Sequence, residues 1–333
     1  MRPRVQAIRP PKPAVGIAWP EGFLLVPEER IDIEIDGQKI PLYDCEIVLA
    51  DHAVDGPIRF RVGSDERSAA FELVIDGNGA RYAQPDQREV VVHMGKKVRP
   101  LADRFKEDPP HIYFADGDML VDRELFMLPR DEEREPFDLA KIEVVAWTGV
   151  DITKESQGPE KRADSIQRFM IGRLRKLENP YEVIFDDDGS GEAADIVAMR
   201  LSGSTLIVDL YHCKYSADAK AGARLEDLYE ICGQAQKCVR WREKPDVFLK
   251  HLARREGDRA RASNASRYEQ GSSAIVAGWL NRWQEFSYDF SVTIVQPGLA
   301  KSRAEAAHLE LLSATESFLM DTWGMRFRVL ASA

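Results

Sequence analysis

The chain has 333 residues, 44% of them hydrophobic and 31% charged, with a formal net charge of −10. That length predicts two ordinary domains whose cores need no disulfide staples, and the net acidity excludes a protein coated in nucleic acid. No run of about 18 apolar residues exists to span a membrane, and Cys45, Cys213, Cys232 and Cys238 lack CxxC spacing, as expected of reduced thiols in a cytoplasmic protein.

The opening MRPRVQAIRPPKP is basic and proline-rich without the apolar centre of a signal peptide, so residues 1–14 read as a flexible basic arm. Residues 15–140 read as an antiparallel β-rich domain. RIDIEIDGQKIPLYDCEIVLA alternates apolar and polar residues around a DG turn, the strongest short hairpin signal, and FELVIDGNGARYA repeats it. REVVVHM and HIYFADGDMLV are further strands, and the charged run RDEEREPF (130–137) reads as a linker. The polar groups of this half converge on no chemistry, which leaves it a recognition or docking module.

Residues 141–333 change in texture. KIEVVAWTGV predicts a strand, and DSIQRFMIGRLRKL a helix with Ile166, Phe169, Met170, Leu174 and Leu177 on one face. YEVIF ends in the loop DDDGSGEA, and ADIVAMRL and TLIVDLYHCKYS follow as strands joined by SGS. ARLEDLYEICGQAQKCVRW is helical with Leu225, Leu228, Ile231 and Cys232 on one face. FSVTIVQPGL predicts a strand closed by a proline-glycine turn, AEAAHLELLSATESFLMDTW a helix, and MRFRVLAS a last strand. The fold class expected is α+β: the β-rich half, then an α/β domain whose mixed sheet is flanked by helices.

One strand pair in that domain carries a candidate site. Asp195 opens a strand after the loop GSGEAAD, while His212 and Lys214 share a face of the next strand, roughly 7 Å apart. Such a carboxylate could hold a divalent cation that polarises a phosphate and acidifies water, and the lysine could stabilise charge growing in the transition state. Asp209, three residues before His212, faces the other side of the strand. Glu192 is either a supplementary ligand or a solvated loop acid. Asp186, Asp187 and Asp188 are either ligands or a solvated turn, the latter the commoner fate of a DDDGSG run. Glu155 and Gln167 could add an acid or an amide, whereas Tyr215 and Ser216 finish the strand. Five arginines (Arg254, Arg255, Arg259, Arg261 and Arg267) against three acids offer either a DNA-binding patch or a solvated helix end.

The arrangement of Asp195 and Lys214 on adjacent strands between helices resembles the PD-(D/E)XK nuclease superfamily, with its Mrr-like and RecB-like members. Gln234, in GQAQK on the following helix, stands where those members often carry a glutamine. GEAADIVA, LYHCKYS, GARLEDLYEICGQAQK and IVQPG also resemble the nuclease-like region of helicase-associated proteins from prokaryotic defence islands. The resemblance implies a restriction-endonuclease-like domain that hydrolyses DNA with Mg²⁺ or Mn²⁺, with Asp195, His212, Lys214 and Gln234 as catalytic residues. It implies a metal held by Asp195, His212 and Glu192. It further implies an antiviral role beside a helicase or other ATPase, since the chain has no GxxxxGK[ST] of its own. The chain departs from the pattern at His212, where the family has Asp or Glu. An imidazole there either shifts preference towards Mn²⁺ or marks a catalytically inactive subunit that binds DNA or scaffolds a helicase. A Cys-His hydrolase is excluded because His212 and Cys213 point to opposite faces, and a zinc site because no knuckle spacing occurs.

Overall fold

The computed structural model describes residues 12–24, 31–64, 66–76, 79–121, 124–126, 135–189, 191–261 and 265–333. The basic arm lies outside them up to residue 11, and residue 14 is already strand. The chain begins with β1 (Ala14–Ala18) and a short helix α1 (Glu21–Leu24), then β2 (Ile31–Ile35) and β3 (Gln38–Pro41). Asp36 and Gly37 turn that hairpin with φ of 49° and 80°, the left-handed pair that the DG dipeptide accommodates. β4 (Glu46–Leu49), β5 (Ile58–Gly63), β6 (Ser68–Asp76) and β7 (Gly79–Ala83) form an antiparallel meander, while β8 (Val90–Met94) and β9 (Lys97–Pro100) join β2 and β3 in a second sheet. Helix α2 (Leu101–Glu107) drops Phe105 between these sheets against Phe60, Phe71 and Tyr82. Each phenylalanine buried this way contributes roughly 1.5–3 kcal/mol. β10 (His111–Phe114), β11 (Met119–Val121) and β12 (Glu124–Phe126) complete a third antiparallel sheet, with β1 at its edge.

After β13 (Ile142–Val144) come α3 (Ile166–Leu174), β14 (Val183–Asp186), β15 (Ile196–Ser202), β16 (Thr205–Cys213) and α4 (Leu225–Lys237). Then follow α5 (Arg240–Glu243), α6 (Pro245–Arg261), β17 (Tyr268–Gln270), α7 (Ser273–Asn281), β18 (Ser287–Ala300), α8 (Ala306–Ser317) and β19 (Arg326–Ser332). The seven strands of this half form one mixed sheet in the order β13-β19-β18-β16-β15-β14-β17. β16, β18, β19 and β13 run parallel and β14, β15 and β16 antiparallel. Period-two alternation sorts the strands' side chains: Val197, Met199, Val208 and Leu210 belong to the apolar cluster that holds Leu228 and Ile231 of α4, whereas Ile196, Ala198, Tyr211 and Cys213 belong to that of Ile166 and Met170 of α3. Ser165 caps α3 by accepting the Arg168 N–H at 3.1 Å.

The structure corrects the sequence reading at several points. Leu177, assigned to the apolar face of the first helix, lies beyond its end and is 41% exposed. The proline-glycine pair does not end its strand: β18 runs through Pro297 and Gly298 to Ala300, where Leu299 bridges to Gly222. Residues 240–281 supply three helices and a strand that the apolar pattern did not announce. The expected linker lies outside the described residues as far as 134, and its end is structured, since Phe137 is buried in the core of the second half. The halves also share packing. Val15, Ala18 and Tyr113 belong to the same apolar cluster as Leu228 and Ile231, and β1 crosses α4 so closely that a Cβ at Gly233 would lie 1.7 Å from the Val15 carbonyl oxygen.

Candidate metal centre

The site lies where β15 begins and β16 ends. Ile196 pairs with Tyr211, so the same antiparallel register sets Asp195 across from His212 on the α4 side of the sheet. Asp195 is fixed there because its Oδ2 accepts the Cys213 N–H at 2.8 Å. Glu192 reaches in from the glycine loop, where its Oε2 accepts the Gly189 N–H at 3.0 Å. One ligand atom each from Glu192, Asp195 and His212 lie within 4.8 Å of one another. Among the described residues, neither carboxylate has an ion-pair partner.

His212 decides the chemistry of this group. Its side chain is 3% exposed, and neither Nδ1 nor Nε2 has a hydrogen-bond partner. Burial, with Lys237 nearby, pushes its pKa down to about 3, so at neutral pH the imidazole offers an unshared lone pair. A buried polar atom left unpaired costs about 1–3 kcal/mol, and two in one ring beside two carboxylates make His212 a candidate ligand. Burial together with Glu155 and Asp188 drives the Asp195 carboxyl well above its ordinary range, and burial with Asp195 and Asp188 does the same to Glu192. A cation at their common point would reverse both shifts.

Lys214 lies one residue past the end of β16, 8% exposed. Its Nζ donates to Glu230 Oε1 at 2.6 Å and lies 3.6 Å from Glu155 Oε2. Burial opposes the charge, but Glu155 and Glu230 outweigh it and hold the ammonium above its usual value. Glu155 also accepts the Tyr215 N–H at 2.9 Å, which ties the loop before α3 to the end of β16. Gln234 is one turn beyond Glu230 on α4, half-buried, with its Oε1 unpartnered. No hydrogen bond joins it to Lys214 or to the carboxylates among the described residues. Comparison with protein-family models, curated proteins and solved structures gave no match to this chain. The geometry therefore stands alone.

Two expectations about the surroundings are overturned. The aspartate loop is no solvated turn, because Asp186 and Asp187 are 3% and 0% exposed. Gln157 and Gln167 each donate to an Asp186 oxygen at 2.9 Å, and Gln167 also donates to the Asp195 carbonyl at 3.1 Å. Gln167 is thus a brace for the backbone of Asp195. Nor do the five arginines form one open patch. Arg255 is 5% exposed and donates to Asp187 Oδ1 at 2.8 Å, and Arg267 is 9% exposed and donates to the Asp186 carbonyl at 2.8 Å. Arg261 pairs with Asp258, and Arg259 donates to the Ala265 carbonyl. Asp209 does face away, accepting from Tyr181 and Ser291. Sequence reasoning missed Glu230 and His251, whose Nε2 lies 3.1 Å from Asp187 Oδ2. Glu230 was legible in principle, since Glu230, Gln234 and Lys237 recur at helical spacing.

Proposed function

We propose that residues 141–333 form a metal-dependent deoxyribonuclease of the PD-(D/E)XK type, with Asp195, His212 and Glu192 holding the ion. The observation that carries this reading is the buried, unpartnered imidazole converging with two carboxylates beside a buried lysine. The element order supports it too: α3, then the antiparallel strands β14, β15 and β16, then α4, then β18 parallel to β16. A nitrogen and carboxylate oxygens suit Mn²⁺ better than the purely oxygen-liking Mg²⁺. Bound there, the ion would supply Lewis-acid polarisation of the scissile phosphate and acidify water. Lys214, fixed by Glu230 and Glu155, is placed to oppose the charge that develops on the phosphate. Gln234 is left free to orient water or substrate. The wider setting is an antiviral effector that works beside a helicase or other ATPase.

A second reading is a nuclease fold that binds DNA or scaffolds a partner without cleaving. The closure of the site favours it, since Asp195 and His212 are only 2% and 3% exposed. Nicking of supercoiled plasmid by the purified chain, in Mn²⁺, in Mg²⁺ and in EDTA, separates the two. The nuclease reading expects metal-dependent nicking that Asp195→Ala abolishes while far-UV circular dichroism is unchanged. DNA binding without nicking in either metal would overturn it in favour of the scaffold.

A further inference from the structure

Of the arginines of α6, Arg255 is committed to the aspartate loop, while Arg259 and Arg261 bond the Ala265 carbonyl and Asp258, so a second basic surface is worth seeking nearer the site. Residues 154–176 hold seven Lys or Arg against three Asp or Glu, an excess of four positive charges in a chain of net −10. Three of these cations converge on one carboxylate of β17. Lys161 Nζ lies 2.8 Å from Glu269 Oε1, and Arg168 Nη1 and Arg175 Nη2 lie 3.0 and 3.1 Å from Oε2. The Glu269 side chain is 2% exposed, whereas the three cations keep 32%, 33% and 37% of theirs in water. One buried negative charge needs one cation, so the cluster carries two positive charges in excess, on side chains that remain about one-third in water. Guanidinium groups suit the double task, because a fork of five N–H donors can grip a carboxylate on one edge and a phosphate on another.

The cluster is wired to the site. Gln157 donates to Glu269 Oε1 at 3.0 Å and to Asp186 Oδ2 at 2.9 Å. Two residues earlier in the same loop, at most about 7 Å of chain, Glu155 lies 3.6 Å from Lys214 Nζ. Glu155 and Glu230 are also the more open side chains around that lysine, 23% and 43% exposed. The loop therefore leads from the open edge of the site to the cations.

We propose that Lys161, Arg168 and Arg175, gathered on Glu269, hold the phosphate backbone of the DNA that enters at the Lys214–Glu155 edge. The identity of the polyanion rests on the nuclease reading above; the surface itself rests on the excess charge and its continuity with the site. Backbone contacts of this kind fix register and carry no sequence information.

The test is binding of the full chain to a labelled duplex in EDTA, titrated with KCl. Lys161→Gln should lower the slope of log affinity against log salt by about 0.9 on duplex DNA, and Arg168→Gln with Arg175→Gln by about 1.8. The effect should be equal across duplex sequences, with unchanged circular dichroism. Because the double variant leaves Glu269 under-paired, it is repeated with Glu269→Gln. Glu269→Gln alone keeps all three cations and should tighten binding. Parent-like slopes in Lys161→Gln and in the multiple variants, or no duplex binding by the parent, would overturn the surface. Plasmid nicking in Mn²⁺ tells this failure from that of the nuclease reading. A chain that nicks while its variants keep the parent slope loses only the surface. A chain that never nicks while Lys161→Gln lowers the slope keeps the surface and loses the nuclease.

Discussion

Replacing His212 by leucine tests the metal centre without asking the protein to cleave anything. The imidazole is 3% exposed and makes no hydrogen bond. In EDTA an apolar residue of similar bulk should therefore cost nothing, and relief of two unpaired nitrogens could return part of the roughly 1–3 kcal/mol that such a group costs. With metal the two proteins should separate. An ion that binds only the folded state stabilises it by about 2.7 kcal/mol at one hundred times its Kd. For a unit of about 150–250 residues each kcal/mol moves Tm by roughly 2–4 °C, so the parent should gain about 5–11 °C in saturating Mn²⁺. His212→Leu should lose most of that gain, and His212→Asp should keep a gain but shift it from Mn²⁺ towards Mg²⁺. The assay is thermal unfolding followed by near-UV circular dichroism across a metal titration. An unchanged Mn²⁺ response in His212→Leu would show that the imidazole is no ligand. A loss of several kcal/mol in EDTA would show that the ring is bonded in the folded state.

Lys214→Ala should lower turnover by about 10²-fold or more in the plasmid assay, the scale for losing one preorganised electrostatic group; equal cleavage would remove Lys214 from the chemistry. Asp187→Asn leaves Arg255 buried without its counter-charge and should cost about 3–5 kcal/mol in urea unfolding at pH 7. Burial alone would raise the Asp187 carboxyl, but Arg255 and His251 outweigh it and hold it well below the usual range. Its contribution is thus fully present above the unfolded value of about 3.9 and is lost as pH falls through the lower folded value. The gap between parent and Asp187→Asn should narrow below about pH 4; a gap that stays constant down to pH 2 would mean the charge is not what Arg255 needs. Gly233→Ala would ordinarily stabilise a helix by about 1 kcal/mol, yet its Cβ would meet the Val15 carbonyl oxygen at 1.7 Å. A net loss of about 1–3 kcal/mol is expected in urea melts, and a net gain would refute the close crossing of β1 and α4.

What was legible from the residues was local. The hairpin at Asp36–Gly37 announces itself because only a few residue types tolerate its backbone angles. Asp195 and His212 could be brought together because strand alternation and an antiparallel register fix facing locally, and one ligand atom from each lies within 4.8 Å of the other. The environment of the aspartate loop was not legible in the same way. A run of three aspartates and two glycines is solvated unless something distant compensates it, and the compensating groups, His251, Arg255 and Arg267, come from beyond residue 250. The same distance hid Glu269, which joins cations of α3 and its preceding loop to a strand the apolar pattern did not reveal. Pro297–Gly298 misled for the opposite reason. The pair is a strong local turn signal, but there the chain stays extended to meet Gly222.

The crossing of β1 over α4 has a consequence for synthesis on the ribosome. Val15 and Ala18 share their apolar cluster with residues of α4, which emerge about 210 residues later, or roughly 10–40 s at ordinary translation rates. Over that interval the apolar inner face of β1 has no α4 to rest on, although β10 and the sheets around it can already assemble. The nascent β-rich half therefore keeps part of that apolar face uncovered until the second half arrives.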